Sequence, residues 1–212
     1  MLFVMKLLFA IFAAVAGAIG GSRWIAKLYE QKSDILSFPH KTSDQNQMRR
    51  KFLPAILGML FAFYLLSADA YLSTSFFSLL YIYFLVIFSV TDFEQQVIFD
   101  RMLLPFALLG IISSFISGAN VIHHLMAALG GGALFLLLAI LTKGGIGGGD
   151  IKLIAALGLW LGVKSLLDVI TIGLIGGGIG AFVLLKWGNK KRTDTFAYGP
   201  YFAIAALLKL LL

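Results

Sequence analysis

The chain has 212 residues, of which 60% are hydrophobic and only 13% are charged, and its mean hydropathy is +0.95. Because an ordinary soluble domain is about 45–50% apolar, these values exclude a water-soluble globular protein and predict an integral membrane protein. The absence of cysteine excludes disulfides, thiol catalysis and cysteine-ligated zinc, and the net charge of +7 is distributed as membrane topology requires, so no nucleic-acid partner is expected.

Apolar runs follow one another along the whole chain, at residues 2–20, 52–66, 72–90, 102–116, 121–141, 151–163, 166–185 and 196–212. About 20 helical residues cross a hydrocarbon layer about 30 Å thick, so we expect an all-α bundle of about eight transmembrane helices. A closed β-barrel would show alternation of apolar and polar residues, and the sequence has no such pattern. Helices are then the remaining structures that satisfy all backbone hydrogen bonds within lipid. The first run could instead be a cleaved signal peptide, because Lys6 precedes an apolar stretch that ends in small residues.

The polar stretch 22–51 connects the first two runs and is predicted to be a loop or a small lid within a single membrane domain, 1–212. If eight spans cross the membrane in alternating directions, fourteen Lys and Arg residues, including those at 190–192, lie on the same side of the membrane as this loop. The other three lie on the opposite side. Cytosolic loops carry the excess of basic residues, so this side is predicted to face the cytosol. We therefore expect a multi-pass protein of the plasma (inner) membrane with both termini outside.

Two aspartates stand where an apolar run meets the predicted cytosolic face: Asp92 follows the run 72–90, and Asp150 directly precedes the run 151–163. Acidic residues near hydrocarbon are costly and usually functional. If folding brings the two together, they can share one proton, so that one acts as a general base on water while the other polarises a peptide carbonyl. Two alternatives stay open. Asp150 could be a helix N-cap and Asp92 an interfacial residue, or both could carry protons or cations in a small transporter.

Glycines precede the second aspartate, with Gly147, Gly148 and Gly149 next to it and Gly144 and Gly145 just before them. A run without side chains lets a backbone or a substrate strand approach closely, so it could form one wall of a peptide cleft. A flexible hinge is the alternative. A phosphate-binding loop is excluded, because neither G-x-x-x-x-G-K-[ST] nor G-x-G-x-x-G is present.

These segments resemble the type IV prepilin peptidases and the related preflagellin peptidases. Residues 147–150 are similar to the G-x-G-D motif of these enzymes, and residues 151–158, Ile-Lys-Leu-Ile-Ala-Ala-Leu-Gly, resemble the sequence that follows it. Upstream, residues 91–93 and 99–101, with Pro105 in the next helix, resemble the first catalytic segment of the family. The resemblance extends from about residue 85 to residue 162, which is the predicted catalytic segment 85–162.

The resemblance implies an aspartic endopeptidase in which Asp92 and Asp150 are catalytic and the glycines at 147–149 support the second aspartate. Asp100 and Lys152 match recurring polar positions and are expected to support the substrate cleft. The implied partners are membrane lipid and a prepilin or pseudopilin that has a basic leader and an apolar helix and is cut at the cytosolic face. No metal or other cofactor is expected for this peptidase activity.

One departure from the family concerns the first cytosolic loop. Many bacterial members carry two Cys-x-x-Cys pairs there, which bind zinc, and many also methylate the new N-terminus with S-adenosylmethionine. This chain has no cysteine. We therefore expect S-adenosylmethionine as a cofactor only if a methyltransferase activity is present.

Overall fold

The computed structural model describes residues 2–68, 71–187 and 197–211, so the basic residues at 190–192 that enter the charge count lie outside the described residues. Within these ranges the chain forms helices and no strand, which confirms the all-α prediction. The helices are α1 (Leu2–Gln31), α2 (Thr42–Ser67), α3 (Leu72–Gln95), α4 (Asp100–Ile116), α5 (Val121–Leu141), α6 (Gly148–Trp187) and α7 (Gly199–Leu211).

Several of these helices have the length and hydropathy of membrane spans. Within the described residues, five helical stretches are long and apolar enough to cross a bilayer: Phe3–Gln31, Pro39–Ser67, Leu72–Gln95, Val121–Leu141 and Gly148–Leu184. Large apolar side chains such as Phe12, Met59 and Leu129 are exposed on them, as expected of surfaces that face lipid. The chain is therefore a multi-pass membrane protein, and the count of eight spans stays a prediction.

The polar stretch 22–51 is mostly helical, which differs from the predicted loop. Helix α1 continues to Gln31 and α2 already begins at Thr42, so only residues 32–41 connect them, through the short 3₁₀ turns Ser33–Ile35 and Pro39–Lys41. A scan for apolar runs finds only the part of a helix that lies in lipid. A helix can continue beyond the lipid, because its backbone hydrogen bonds also form in water. The sequence beyond the apolar runs is rich in helix formers such as Lys, Glu, Gln and Arg.

Helix α6 is interrupted at Gly162, where the backbone adopts φ 70° and ψ 178°. A positive φ favours glycine, and a Cβ at this position would also lie only 2.9 Å from Nδ1 of His123. The interruption falls next to the junction between the predicted runs 151–163 and 166–185. It explains why one stretch of 40 residues, about twice the length of an ordinary span, reads as two segments in the sequence.

The chain divides into two compact units, Met1–Val97 and Ile98–Leu212. In the first unit, α1 packs along α2, and α3 contributes fully buried side chains such as Ile82, Leu85 and Phe88. In the second unit, α6 packs against α4, α5 and α7, and Phe106 stacks on Trp160 with 5.3 Å between ring centroids. Asp92 belongs to the first unit and Asp150 to the second. The single membrane domain predicted for 1–212 stays a prediction.

Gly158 allows α5 and α6 to approach each other closely. A Cβ on Gly158 would lie 2.5 Å from the backbone nitrogen of Ala128 and 2.6 Å from its Cα, and backbone cannot move aside as a side chain can. We expect Gly158→Ala to lower the free energy of unfolding by about 1–3 kcal/mol, the usual cost of overpacking. The measurement is thermal unfolding of the detergent-solubilised protein.

Gly130→Ala is the matched control for this substitution. Gly130 lies on α5, and a Cβ there would meet no atom within 4 Å, so its replacement is expected to be neutral or slightly stabilising. Equal unfolding temperatures for the two alanine variants would contradict a tight contact between α5 and α6 at Gly158.

Candidate functional site

Asp92 lies in the last turn of α3 and is only 5% exposed. The apolar run that forms α3 ends at Val90, and the polar residues after it terminate the helix. The backbone carbonyl of Asp92 accepts a hydrogen bond of 2.8 Å from the backbone N–H of Gln96, which has a left-handed φ of 55°. This is a common way to end a helix, and it places Asp92 where an apolar helix gives way to an irregular connection.

Glu94, two residues after Asp92, anchors the end of α3 to α1 and α2. Its carboxylate accepts a hydrogen bond of 2.8 Å from the Tyr29 hydroxyl and pairs with the guanidinium of Arg49. Its backbone carbonyl accepts a hydrogen bond of 2.8 Å from the side-chain amide of Gln45. The Arg49 side chain is 1% exposed and the Glu94 side chain 11%, so this ion pair is almost fully removed from water.

Gln95 extends these contacts to the connection between α1 and α2. Its side-chain oxygen accepts a hydrogen bond of 2.7 Å from the backbone N–H of Phe38, and its amide nitrogen donates to the Phe38 carbonyl at 2.9 Å and to Gln45 at 2.6 Å. The last turn of α3 is thus tied to three other segments of the first unit. We call this set of residues the α3-end network: Tyr29, Phe38, Gln45, Arg49, Glu94 and Gln95.

Sequence reasoning missed this network, because it treated Arg49 as one of many topological charges and did not single out Glu94. One signal was available, since an acidic residue two positions beyond a candidate catalytic aspartate, at a membrane edge, needs a partner. The partners themselves could not be identified, because they lie 45 to 65 residues away along the chain.

Asp150 lies in the first turn of α6 and is 9% exposed. Its backbone N–H donates to the Gly147 carbonyl at 3.1 Å, so Gly147 stands at the start of the helix and Asp150 is not the N-cap. A carboxylate in the first turn of a helix is stabilised by the positive end of the helix dipole.

The glycines before Asp150 differ in their surroundings. A Cβ on Gly149 would lie 3.2 Å from Cβ of Ile98, so the segment before α4 passes close to this backbone. A Cβ on Gly147 would lie 3.4 Å from the Asp150 carboxylate, and one on Gly148 would meet nothing within 4 Å. The backbone is therefore open at Gly147 and Gly148 but packed at Gly149. The part played by Gly147, Gly148 and Gly149 in substrate binding stays a prediction.

Asp100 and Lys152, the two predicted supporting residues, are brought together in the second unit. The Lys152 ammonium donates to both carboxylate oxygens of Asp100, at 2.7 and 2.9 Å, and so links the first turn of α4 to α6. Both residues line an open cavity of about 430 Å³ whose other walls are apolar side chains of α4, α5 and α6. Their role in the reaction stays a prediction.

The Asp100–Lys152 pair is exposed, at 70% and 55% of the two side chains, which limits its contribution to stability. We expect Asp100→Asn and Lys152→Gln each to change the free energy of unfolding by less than about 1 kcal/mol, because water screens the pair. The measurement is thermal unfolding at low and high salt. The similar pair of Lys209 and Asp168 serves as the control, and a loss at Asp100 well beyond that at Asp168 would contradict this expectation.

Comparison with known proteins places these residues in one family. Residues 79–184, half of the chain, match the type IV leader peptidase family. The chain is 31% identical over 137 residues to the prepilin leader peptidase/N-methyltransferase of Escherichia coli (strain K12), which covers 62% of this chain and 60% of the relative. Proteins of the same name from Xanthomonas campestris pv. campestris (35% over 132 residues, 58% and 45% covered) and Bacillus subtilis strain 168 (32% over 138 residues, 62% and 53% covered) are also similar.

The chain spans about half the length of the curated relatives it matches. No solved structure matches it. The match to the family runs from within α3 into the second half of α6 and includes Asp92, Asp150 and the glycines at 147–149. With half of its length matched in this way, the chain belongs to the type IV leader peptidase family.

Proposed function

We propose that this protein is a membrane-embedded aspartic endopeptidase that removes the leader of type IV prepilin-like substrates, including pseudopilins. The observation that carries the proposal is the burial of two acids within the matched region. Asp92 and Asp150 are buried, at 5% and 9% exposure, whereas acids such as Asp34, Asp44 and Asp100 are exposed. The Glu94 side chain is also largely removed from water, but its carboxylate is paired with Arg49. Removing a carboxylate from water is costly, and in membrane proteins such acids usually carry function.

The proposed chemistry needs one ionised and one protonated carboxyl group. In this mechanism Asp92 and Asp150 share a single proton, because two like charges at short range cannot both ionise readily. The ionised member takes a proton from water as the water oxygen attacks the scissile carbonyl carbon, and the protonated member gives its proton to the carbonyl oxygen, which forms a gem-diol. The first member then passes its proton to the amide nitrogen as the C–N bond breaks, and the second member regains a proton from the diol, so that the pair again holds one proton. The open backbone at Gly147 and Gly148 would admit the extended part of the substrate next to Asp150, while Gly149 allows the close approach of the segment at Ile98.

The proposed substrate has a basic leader followed by an apolar helix, and it is cut at the cytosolic face of the plasma (inner) membrane. The names of the relatives and the excess of basic residues on one side of the predicted topology support this proposal. The apolar helix of the substrate would stay in the bilayer while the peptide bond next to it reaches the membrane edge.

The proposal does not extend to methyl transfer, although the relatives are also named N-methyltransferases. The connection between α1 and α2 is only ten residues long, 32–41, and the chain has no cysteine, so its donor atoms do not fit the zinc site that many family members carry there. In the described residues, no three His, Asp or Glu side chains are grouped so as to hold a metal ion.

Co-expression with a prepilin-like substrate tests the proposed activity. The substrate is expected to become shorter by the length of its leader, and mass spectrometry should place the new N-terminus at the junction between leader and apolar helix. A substrate that stays intact beside folded, membrane-inserted protein would overturn the proposal. Proton or cation flux into proteoliposomes without any cleavage would favour the transporter alternative.

The proposed orientation can be tested by single-cysteine labelling, because the chain contains no cysteine of its own. Ser37→Cys, in the 32–41 connection, is expected to react with a membrane-impermeant maleimide only when the cytosolic face is accessible. Ser117→Cys, after α4, is expected to react in intact cells. The reverse pattern would place the excess of basic residues outside and contradict the predicted topology.

A further inference from the structure

A cavity of about 290 Å³ lies between α1 and α2 in the first unit, apart from the candidate catalytic residues. Four of its lining residues come from α1 and two from α2: Ala18, Ile19, Ser22, Arg23, Arg50 and Pro54. Its walls thus combine apolar groups with one hydroxyl and two guanidinium groups, a combination that suits a ligand with both apolar and anionic parts.

The Ser22 hydroxyl is the first sign of a ligand. Ser22 is 2% exposed, and its Oγ has no hydrogen-bond partner among the described residues. Several other helical hydroxyls donate to the carbonyl four residues earlier, as those of Ser67, Ser89 and Thr171 do at 2.7 to 2.8 Å. A buried hydroxyl that makes no such bond is destabilising unless an acceptor is supplied, so an oxygen-bearing ligand in the cavity is expected to accept from Ser22.

The two arginines add positive charge to the same cavity. The side chains of Arg23 and Arg50 are exposed, and in the described part of the chain neither guanidinium pairs with a carboxylate, in contrast to the neighbouring Arg49. Guanidinium groups bind phosphate oxygens through paired N–H donors, which makes phosphate the anion that this arrangement suits best.

The position of the cavity along the helices points to lipid as the source of the phosphate. Arg23 follows the apolar run 2–20, and Arg50 precedes the apolar run 52–66, so both lie where the membrane-embedded part of a helix meets its polar end. Ala18, Ile19 and Pro54 extend the cavity toward the apolar side. A phospholipid could place its phosphate between the arginines and its acyl chains along these residues, which free phosphate cannot do.

We propose that Ser22, Arg23 and Arg50 form a binding site for the phosphate group of an anionic phospholipid, held between α1 and α2. The lipid ties the two helices together at the level of the head groups. This inference does not depend on the proposed peptidase activity.

Native mass spectrometry of the delipidated, detergent-solubilised chain tests the site, with phosphatidylglycerol, phosphatidylcholine and inorganic phosphate as separate probes. We expect phosphatidylglycerol to be retained preferentially and to raise the unfolding temperature. Arg23→Gln combined with Arg50→Gln should weaken its binding roughly tenfold or more, since each basic residue near the membrane surface contributes about 1 kcal/mol. Ser22→Ala should also weaken binding, while stabilising the lipid-free protein by removing the buried hydroxyl.

Lys27→Gln combined with Lys51→Gln is the matched control, because it removes the same charge from the same two helices at exposed residues that do not line the cavity. If the lysine and arginine variants lose binding equally, the lipid binds through the overall positive charge of the surface, and the proposed site is overturned. Equal retention of phosphatidylglycerol and phosphatidylcholine would overturn its anionic character. If inorganic phosphate stabilises the protein as much as phosphatidylglycerol does, lipid is not the source of the bound phosphate group.

Discussion

Asp92→Asn and Asp150→Asn are each expected to lower the rate of leader removal by about a thousandfold or more, and the double variant is expected to be no slower than either single one. The two carboxyl groups act as a unit in the proposed mechanism, because one must be ionised while the other donates a proton. An amide can neither take a proton from water nor replace the shared proton. Once one aspartate has been replaced, the other no longer contributes to the cleavage rate, so its replacement causes no further loss.

Initial rates of substrate cleavage by the purified protein, measured over at least about four orders of magnitude, provide the test. Asp168→Asn is a suitable control, since this aspartate is exposed and pairs with Lys209. Each variant must also insert into the membrane and unfold at a temperature close to that of the parent protein. A single Asn variant that cleaves at the parent rate would remove that aspartate from the mechanism. If the two losses multiply in the double variant, the residues act independently.

Arg49→Leu is expected to lower the free energy of unfolding by about 3–5 kcal/mol, the range measured when one partner of a buried ion pair is removed. The reason is the 11% exposure of the Glu94 side chain, which leaves its carboxylate largely out of water. Among the described residues, the Tyr29 hydroxyl would then be its remaining side-chain donor. Glu94→Leu should cost a similar amount, because Arg49 would then be the uncompensated charge. The double variant should recover much of the loss, since apolar side chains often replace a buried ion pair at little cost.

Unfolding curves of the parent, the two single variants and the double variant in detergent measure the coupling between Arg49 and Glu94 as a double-mutant cycle. Lys51→Leu is the control, because this residue is exposed and its ammonium lies over the ring of Phe52 without a buried partner. Additive losses in the cycle would contradict the ion pair as the contact that secures the end of α3. A small loss in Arg49→Leu would contradict its burial.

The sequence alone was sufficient for the features that depend on local composition. Apolar runs of nearly span length predict helices because lipid offers no other partner for the backbone, and the all-α fold confirms this. The run of glycines before Asp150 predicts close backbone approach, and the contact between Gly149 and Ile98 agrees with it. Asp92 and Asp150 stand out because charged groups are rare at such positions, although their catalytic role stays a prediction.

Helix ends were not predictable in the same way. The stretch 22–51 reads as a loop because polar residues carry no signal for membrane insertion, yet α1 and α2 extend through most of it. Their polar ends are stabilised by tertiary contacts, such as those of Tyr29 and Arg49 with Glu94, which hydropathy does not register. Membrane insertion and helix formation have different causes, and only the first leaves a clear hydropathy pattern.

By itself, the sequence determined the all-α membrane class, the family motifs and the candidate aspartates, because each follows from hydropathy or from residues adjacent in the chain. Only the tertiary structure decided that Glu94 pairs with Arg49, that Gln95 holds Phe38, and that Lys152 meets Asp100. These partners are 45 to 57 residues apart. Many residues could satisfy one charge or one amide, and the packing of the helices selects the partner that lies within hydrogen-bonding distance.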